Sequence, residues 1–531
     1  MGQTTTVRSC DGHFLRADPN LSVDVRPDDA GPWEQWALEL QADGRVAVRS
    51  WHGTYLRAEP QGRVNLTAAG VGPWECWQVV AGDSGVGLRS CHGRFLCAEG
   101  GGGSSVVANR TVLGPWEQWQ VAGTGQPPRS GRVTLTGRAM TDDAGPWNAL
   151  GTTLMWAVRE ARTPHLTANL SWLQTQQVEC VRALGEATDW AEDVRIDPRV
   201  PGWTDKLRAV RDEALSFGQR IQWTVFGGNQ LTPTDQMRAV ENLLLVCREI
   251  PAHVQGIEIS NEGQGFQDAD GPRRLREFGE IFARHGFPTA LTSWESGPAD
   301  LYAGSAATVA TEHFERTISA ADGYWRPVRQ PWGYWDHAAC PAAFINGEPI
   351  GIGSSVAQDT DPLRLACAAA VTWLTGGALH IVHTGAGVYG VPMTHPTAGY
   401  RPANLYEQPT LGPTFSAIAA LRGLLPPDLP TWQRQNHHWP GHPFTFDPYQ
   451  PGDESLAHDF GCVRAYAATL GSDFVCLPVG VMVTPATPSF VMSPKQAMAW
   501  TTYDPLTGAV LETGSGPIFI EREVLIVGQL D

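Results

Sequence analysis

The sequence predicts a multidomain chain: an N-terminal β-trefoil, a central (β/α)8 barrel of the TIM type and a small C-terminal β-sandwich. Three observations predict it. A unit of 40 to 42 residues repeats three times at the start of the chain. Behind it, apolar β-type runs alternate eight times with helical periodicity. After Pro426-Pro-Asp-Leu-Pro430 the chain turns β-rich again and stays so.

Composition sets the outer bounds. A length of 531 residues fits two or three domains, with ample chain for a large core. The formal net charge of −17 argues against nucleic acid or an anionic membrane as the main partner. No apolar run is long enough to span a bilayer, and the first residues lack the apolar core of a signal peptide. Met1-Gly2-Gln3-Thr4-Thr5-Thr6 fits the loose myristoylation pattern. Localisation stays open between cytoplasm and secretion with a signal already removed. The ten cysteines form no CxxC pair and no zinc-type cluster. Cys180, Cys247 and Cys367 sit in apolar runs and read as reduced core thiols, which favours a reducing compartment.

In the repeat, Ser9-Cys-Asp-Gly-His-Phe-Leu-Arg-Ala17 returns as Ser50-Trp-His-Gly-Thr-Tyr-Leu-Arg-Ala58 and as Ser90-Cys-His-Gly-Arg-Phe-Leu-Cys-Ala98. A second motif follows each copy: Gly31-Pro-Trp-Glu-Gln-Trp36, Gly72-Pro-Trp-Glu-Cys-Trp77 and Gly114-Pro-Trp-Glu-Gln-Trp119. Short β-prone runs between glycine turns make this an all-β repeat, and three copies suit a trefoil better than a propeller. The paired motifs resemble fascin-like trefoils and, more distantly, ricin-type lectin trefoils. The resemblance implies either actin bundling, which one trefoil cannot achieve unaided, or glycan binding in shallow pockets between repeats. The plainer reading of Trp33/Trp36, Trp74/Trp77 and Trp116/Trp119 is core and hairpin packing.

The trefoil is bounded at residues 1–123 and a Pro/Gly linker at 124–132. The barrel is bounded at 133–428. Its expected strands are Thr153–Val158, Cys180–Leu184, Arg220–Phe226, Gly256–Ser260, Thr289–Ser293, Thr308–His313, Ala342–Ile345 and Ala378–His383. Helices are expected at Leu166–Gln176, Asp205–Phe217, Thr234–Glu249, Arg273–Arg284 and Pro362–Thr375, with a last one at Thr414–Leu424. Residues 429–531 make the C-terminal domain, with strands at Cys462–Leu470, Asp473–Pro478 and Ile518–Val527 and a loop tip near the active site.

Chemistry is best sought where barrel strands end. Ile257-Glu-Ile-Ser260 breaks at Asn261-Glu262 into Gly263 and Gly265, after the fourth strand. Ala342-Ala-Phe-Ile-Asn-Gly-Glu348 puts a second carboxylate after the seventh. This pair resembles the signature of clan A of the glycoside hydrolases, retaining enzymes on a (β/α)8 barrel. The resemblance implies that Glu262 is the general acid/base, Glu348 the nucleophile, and Asn261 the ligand of a sugar 2-hydroxyl. It implies that Arg182 hydrogen-bonds the nucleophile and keeps it ionised. His313 falls where clan members place a His or Tyr near the nucleophile, although Phe314 stands where a tyrosine would be familiar. Strand 8 lacks the sugar-stacking tryptophan common in the clan. Trp156, Trp294, Trp325, Trp332 and Trp335 are the alternative platforms, and His383 either lines the site or is a core histidine. Glu295, Glu312 and Glu258 are rival carboxylates. Glu258, four residues before Glu262, either helps set the acid's pKa or forms a salt bridge.

No Gly-rich phosphate loop precedes a helix, and neither GxSxG nor HExxH occurs. The reading needs no cofactor and no metal. It is a retaining β-glycoside hydrolase acting on a β-linked oligo- or polysaccharide or a glycoconjugate. Two alternatives from other classes stand beside it: a non-catalytic glycan-binding protein on a degenerate barrel, and a trefoil-driven scaffold or actin-binding protein.

Overall fold

The structure is a computed structural model. It describes the whole chain except residues 1–4, 27–30, 42–44, 82–85, 104, 124–128, 191–194, 229, 264, 294–297, 315–324, 333–340, 350–360, 389–403, 436–439, 448–463 and 481–489. Two units emerge. The first holds residues 1–130 with the segments 157–179 and 202–221; the second holds 131–156, 180–201 and 222–531.

In the first unit the repeat becomes twelve strands of one antiparallel system. Each Ser-x-x-Gly stretch is a tight turn. Gly12, Gly53 and Gly93 take φ of +82°, +78° and +75°, which a side chain would oppose, and their N–H groups donate to Ser9, Ser50 and Ser90. The two tryptophans of each Gly-Pro-Trp-Glu-x-Trp motif part company. Trp36, Trp77 and Trp119 are fully buried, and their indole N–H groups donate to the carbonyls of Leu15, Leu56 and Leu96 at 2.9, 3.0 and 3.0 Å. Trp33, Trp74 and Trp116 stay nearer the surface, each under an arginine: Arg16, Arg57 and Arg110. The glutamates Glu34, Glu75 and Glu117 accept from the glycine N–H that opens each motif, at 2.8, 2.8 and 2.9 Å. The motif is therefore a self-capped turn with one core indole.

The second unit carries the barrel. Its eight strands are Ala149–Thr153, Cys180–Leu184, Arg220–Phe226, Val254–Ser260, Thr289–Thr292, Val309–Glu312, Ala343–Asn346 and Gly377–Val382. We number them barrel strands 1 to 8. They pair in the order 5-4-3-2-1-8-7-6, with parallel ladders. Strands 5 and 6, at the two ends of that order, meet through the Thr308 N–H and the Thr289 carbonyl at 2.9 Å, so the ring nearly closes.

Seven strands fall where the sequence puts them to within two residues. Strand 1 does not. Leu154–Val158 is a buried turn above the barrel, and the strand is Ala149–Thr153. A buried apolar run does not by itself distinguish strand from buried loop. Helices begin up to three residues early; in two of them a cap and a proline set the start, Thr163 before Pro164–Thr175 and Thr232 before Pro233–Glu249.

A three-stranded meander, Thr134–Thr136, Ala139–Asp142 and Gly145–Trp147, was not expected. Its Met140 and Trp147 join a buried cluster with Cys180, Ala290, Val309, Ala343 and Ala378. Those residues lie near the starts of their strands, so the meander seals the end of the barrel opposite the site.

The C-terminal part holds two antiparallel sheets, of six and three strands, around Phe444, Phe474, Met492, Trp500 and Ile526. The stretch Ile518–Val527, expected as one strand, is two. Ile518–Ile520 pairs in the small sheet and Leu525–Leu530 in the large one. The charged pair Glu521-Arg522 sits in the crossing between sheets. Cys462, with the rest of 448–463, and residues 481–489 lie outside the described residues.

Candidate active site

Seven of the eight strands deliver side chains to one place at the C-terminal mouth of the barrel: Thr153 from strand 1 and His383 after strand 8, Arg182 and Thr224 from 2 and 3, Glu258 to Glu262 from 4, His313 and Glu348 after 6 and 7. Arg182 is the hub. Its side chain is fully buried, and it meets two carboxylates at once. Nη1 donates to Glu348 Oε1 at 2.9 Å. Nη2 donates to Glu258 Oε2 at 2.7 Å and to Asn261 Oδ1 at 2.8 Å. Nε donates to Glu258 Oε2 at 3.2 Å and to Thr224 Oγ1 at 3.1 Å. Burial alone would lower the guanidinium's pKa; Glu258 and Glu348 overcome it and raise it. A charge in this place is held because its counter-charges are built in.

The two glutamates read from the sequence stand in different surroundings. Glu348 is 4% exposed. Besides Arg182, it faces His383 Nε2 at 3.6 Å from its other oxygen and His313 Nδ1 at 3.6 Å. His383 is held from behind by Thr153 Oγ1 at 2.8 Å, so it lines the site rather than filling the core. Glu262 has a side chain 41% exposed, and its Oε1 lies 3.2 Å from His313 Nδ1. His313 thus stands between the two carboxylates. The donor atoms of Glu262, His313 and Glu348 all lie within 4.8 Å of one another. We do not read that convergence as a metal site, because the Arg182 guanidinium already sits on the Glu348 oxygen that faces His313.

Local backbone explains how each glutamate is aimed. Glu262 has φ of +49°, in the left-handed region that non-glycine residues avoid. Gly263, at +64°, follows it, and its N–H donates to Thr292 Oγ1 at 2.6 Å. This strain at a strand end aims a polar side chain into a mouth. Gly347 serves through space rather than through backbone freedom. Its φ is ordinary; what requires glycine is crowding, since a Cβ there would lie 2.9 Å from Thr311 Cγ2 and 3.1 Å from His313 Nε2.

The rival carboxylates sort themselves. Glu312 is buried and its pKa is pushed up to about 7, chiefly by that burial. Glu258 turns to Arg182 instead of Glu262. Glu295 lies outside the described residues, as do Trp294 and Trp335. The other platforms are corrected. Trp325 is 1% exposed and Trp156 likewise, its indole N–H donating to the Ala386 carbonyl at 2.8 Å. Neither offers a face to a sugar. Trp332 stacks on Tyr466 at 4.7 Å and takes the Arg434 guanidinium 4.5 Å from its ring centre, so it ties the loop after strand 6 to the C-terminal sheets. Thr153, Thr224 and Thr292 escaped the sequence reading. The signal was a threonine at or near the C-terminal end of each of strands 1, 3 and 5.

With the geometry in place, comparison with known proteins bears on both parts. The family model of the fascin domain matches residues 34–121. The chain begins with a fascin domain. A glycoside hydrolase of family 5 from Bacteroides vulgatus ATCC 8482 superposes with a TM-score of 0.54, covering 75% of this chain and 92% of that one at 12% identity. A second structure, described as a glycoside hydrolase, gives a TM-score of 0.54 over 75% of this chain and 97% of its own, also at 12% identity. At that identity the likeness is one of fold. A search of curated proteins finds no match.

Proposed function

We propose that the protein is a retaining β-glycoside hydrolase, with Glu348 as nucleophile and Glu262 as general acid/base. One observation carries the proposal. Two carboxylates reach the barrel mouth from strands 4 and 7, with oxygens within 4.8 Å of each other, and only the buried one is bonded to the guanidinium. Retention needs carboxyl groups about 5–5.5 Å apart, whereas inversion needs roughly 6.5–9.5 Å to admit a water.

The environments suit the two roles. A guanidinium 2.9 Å from Glu348 stabilises its carboxylate form, which a nucleophile needs. Glu262 is open enough to reach a leaving oxygen and later a water. Asn261 Oδ1 accepts from Arg182, which leaves its NH2 to donate to a sugar hydroxyl beside Glu348. His383 and His313 flank the same carboxylate. The substrate class is a β-linked oligo- or polysaccharide or a glycoconjugate. The test is stereochemical. NMR of the first product from a β-substrate, found by screening aryl β-glycosides, is expected to give the β-anomer; an α-anomer first would overturn the mechanism.

The trefoil is proposed as a separate module, residues 1–123, joined through 124–132 to a barrel at 133–428 and a C-terminal domain at 429–531. Its exposed Trp51 (56%) and Trp116 (41%) suit it to a glycan. Residues 1–123 expressed alone are expected to unfold in one cooperative transition. The first unit also takes in 157–179 and 202–221, so expression of 1–123 only as aggregate would show that the trefoil needs those segments.

A further inference from the structure

Glu258 is the fully buried carboxylate of the site, and it does not reach the acid four residues on. Its Oε2 accepts from Arg182 through both Nε and Nη2 and from Thr224 Oγ1 at 2.6 Å. Its Oε1 lies 3.9 Å from His313 Nε2. Arg182 therefore offers one edge of its fork to Glu258 and keeps Nη1 for Glu348. A single buried guanidinium is shared between two buried carboxylates, and one of them stands away from the reacting atoms.

We propose that Glu258 is a positioning residue that seats the Arg182 guanidinium and divides its charge, and so sets both the orientation and the basicity of Glu348. The inference rests on the reading of Glu348 as nucleophile. Two physical consequences follow from the sharing. Held on three sides by Glu258, Thr224 and Asn261, the planar guanidinium has one orientation, and Glu348 is aimed by it. With Glu258 ionised, the cation's field on Glu348 is partly cancelled. An undivided guanidinium would hold the nucleophile too tightly as a spectator anion and weaken its attack.

The charge argument can be separated from a merely structural one by a pH profile. Among the described residues, the charged and titratable groups around Glu348 include Arg182 from strand 2, Glu258 and Glu262 from strand 4, His313 from after strand 6 and His383 from after strand 8. Glu258→Gln keeps the volume and an acceptor oxygen for Arg182 but removes one negative charge. Protonation of Glu348 then becomes harder. The acid limb of kcat/KM is expected to move to lower pH by about one unit or more, for charges a few ångströms apart at an effective dielectric near ~20. At the pH optimum kcat is expected to fall by about tenfold, with KM little changed. Glu258→Asp keeps the charge and should leave the acid limb where it is, while the shorter reach lowers kcat. A structural role alone would lower activity and thermal stability with the acid limb unmoved.

The experiment uses the full chain and an aryl β-glycoside, with Glu348→Ala run beside it. An active Glu348→Ala enzyme would remove the nucleophile reading itself. A dead Glu348→Ala enzyme with an unshifted Glu258→Gln acid limb would overturn the Glu258 inference alone. Should Glu258→Gln not fold, Thr224→Val tests the same chain of bonds from its far end. It removes the hydroxyl that donates to Glu258 Oε2 and is expected to lower kcat several-fold. A folded Thr224→Val enzyme with wild-type kcat would overturn the proposal.

Discussion

Glu348→Ala is expected to abolish turnover on every substrate, activated or not, by a factor on the order of 10^5–10^6, as the loss of a covalent nucleophile does elsewhere. That is about 7–8 kcal/mol of transition-state stabilisation. The protein should still fold. Removing one partner of a buried ion pair ordinarily costs roughly 3–5 kcal/mol, because the other charge is left uncompensated. Here Arg182 keeps Glu258, bonded through Nε and Nη2, so the buried charge remains neutralised. The variant is expected to melt close to the parent. Truncation also opens a space beneath the sugar, and azide can enter it. From a β-glycoside it should attack directly and give the inverted α-glycosyl azide, read by NMR. Full activity without azide would end the assignment of Glu348, and a β-azide would move the nucleophile's role to another group.

Much of this site could be read from the chain, and the parts that could not share a cause. Strands 2 and 3 were bounded correctly because they are unbroken runs of β-type residues between helical segments, and all their residues are buried. Glu262 and Glu348 followed from strand counting. The first strand failed because Ala149-Leu-Gly-Thr-Thr153 is a run of mostly small residues beside the heavier, more apolar Leu154–Val158. The meander at 134–147 failed because strands of three or four residues, broken by Gly137 and Gly145, leave too short a pattern.

Side-chain direction was the larger loss. Alternation places Glu258 on one face of its strand, but not which of several charges it meets. Its partner, Arg182, is 76 residues away in the chain. Tryptophan content likewise signals aromatic surface without saying which indole is inside. Trp325 proved buried and Trp332 a link to Tyr466. The fascin-type repeat was legible for the opposite reason. Each unit repeats its own capping contacts, Glu34 to Gly31 and Trp36 to Leu15, so local sequence carries the local structure.

Glu262→Ala should separate the two glutamates by the leaving group they tolerate. Protonation of the departing oxygen matters in proportion to how poor a leaving group it is. With an activated aryl glycoside the first step is expected to survive, because Glu348, Arg182 and His383 are untouched. With a natural sugar leaving group turnover should fall by about 10^2–10^4-fold, the usual worth of a positioned acid. The second step loses its base on both substrates, so glycosyl-enzyme should accumulate and appear as a mass adduct on Glu348. Azide needs no base and should restore turnover as the retained β-glycosyl azide, opposite in configuration to the Glu348→Ala product. The backbone supplies an internal control. Alanine at φ of +49° inherits the strain that Glu262 bears, whereas glycine does not. Glu262→Gly is therefore expected to lose the same activity while gaining about 1 kcal/mol of stability over Glu262→Ala, measured by denaturant melts. Equal loss on activated and natural substrates, with no adduct, would remove Glu262 from the acid/base role.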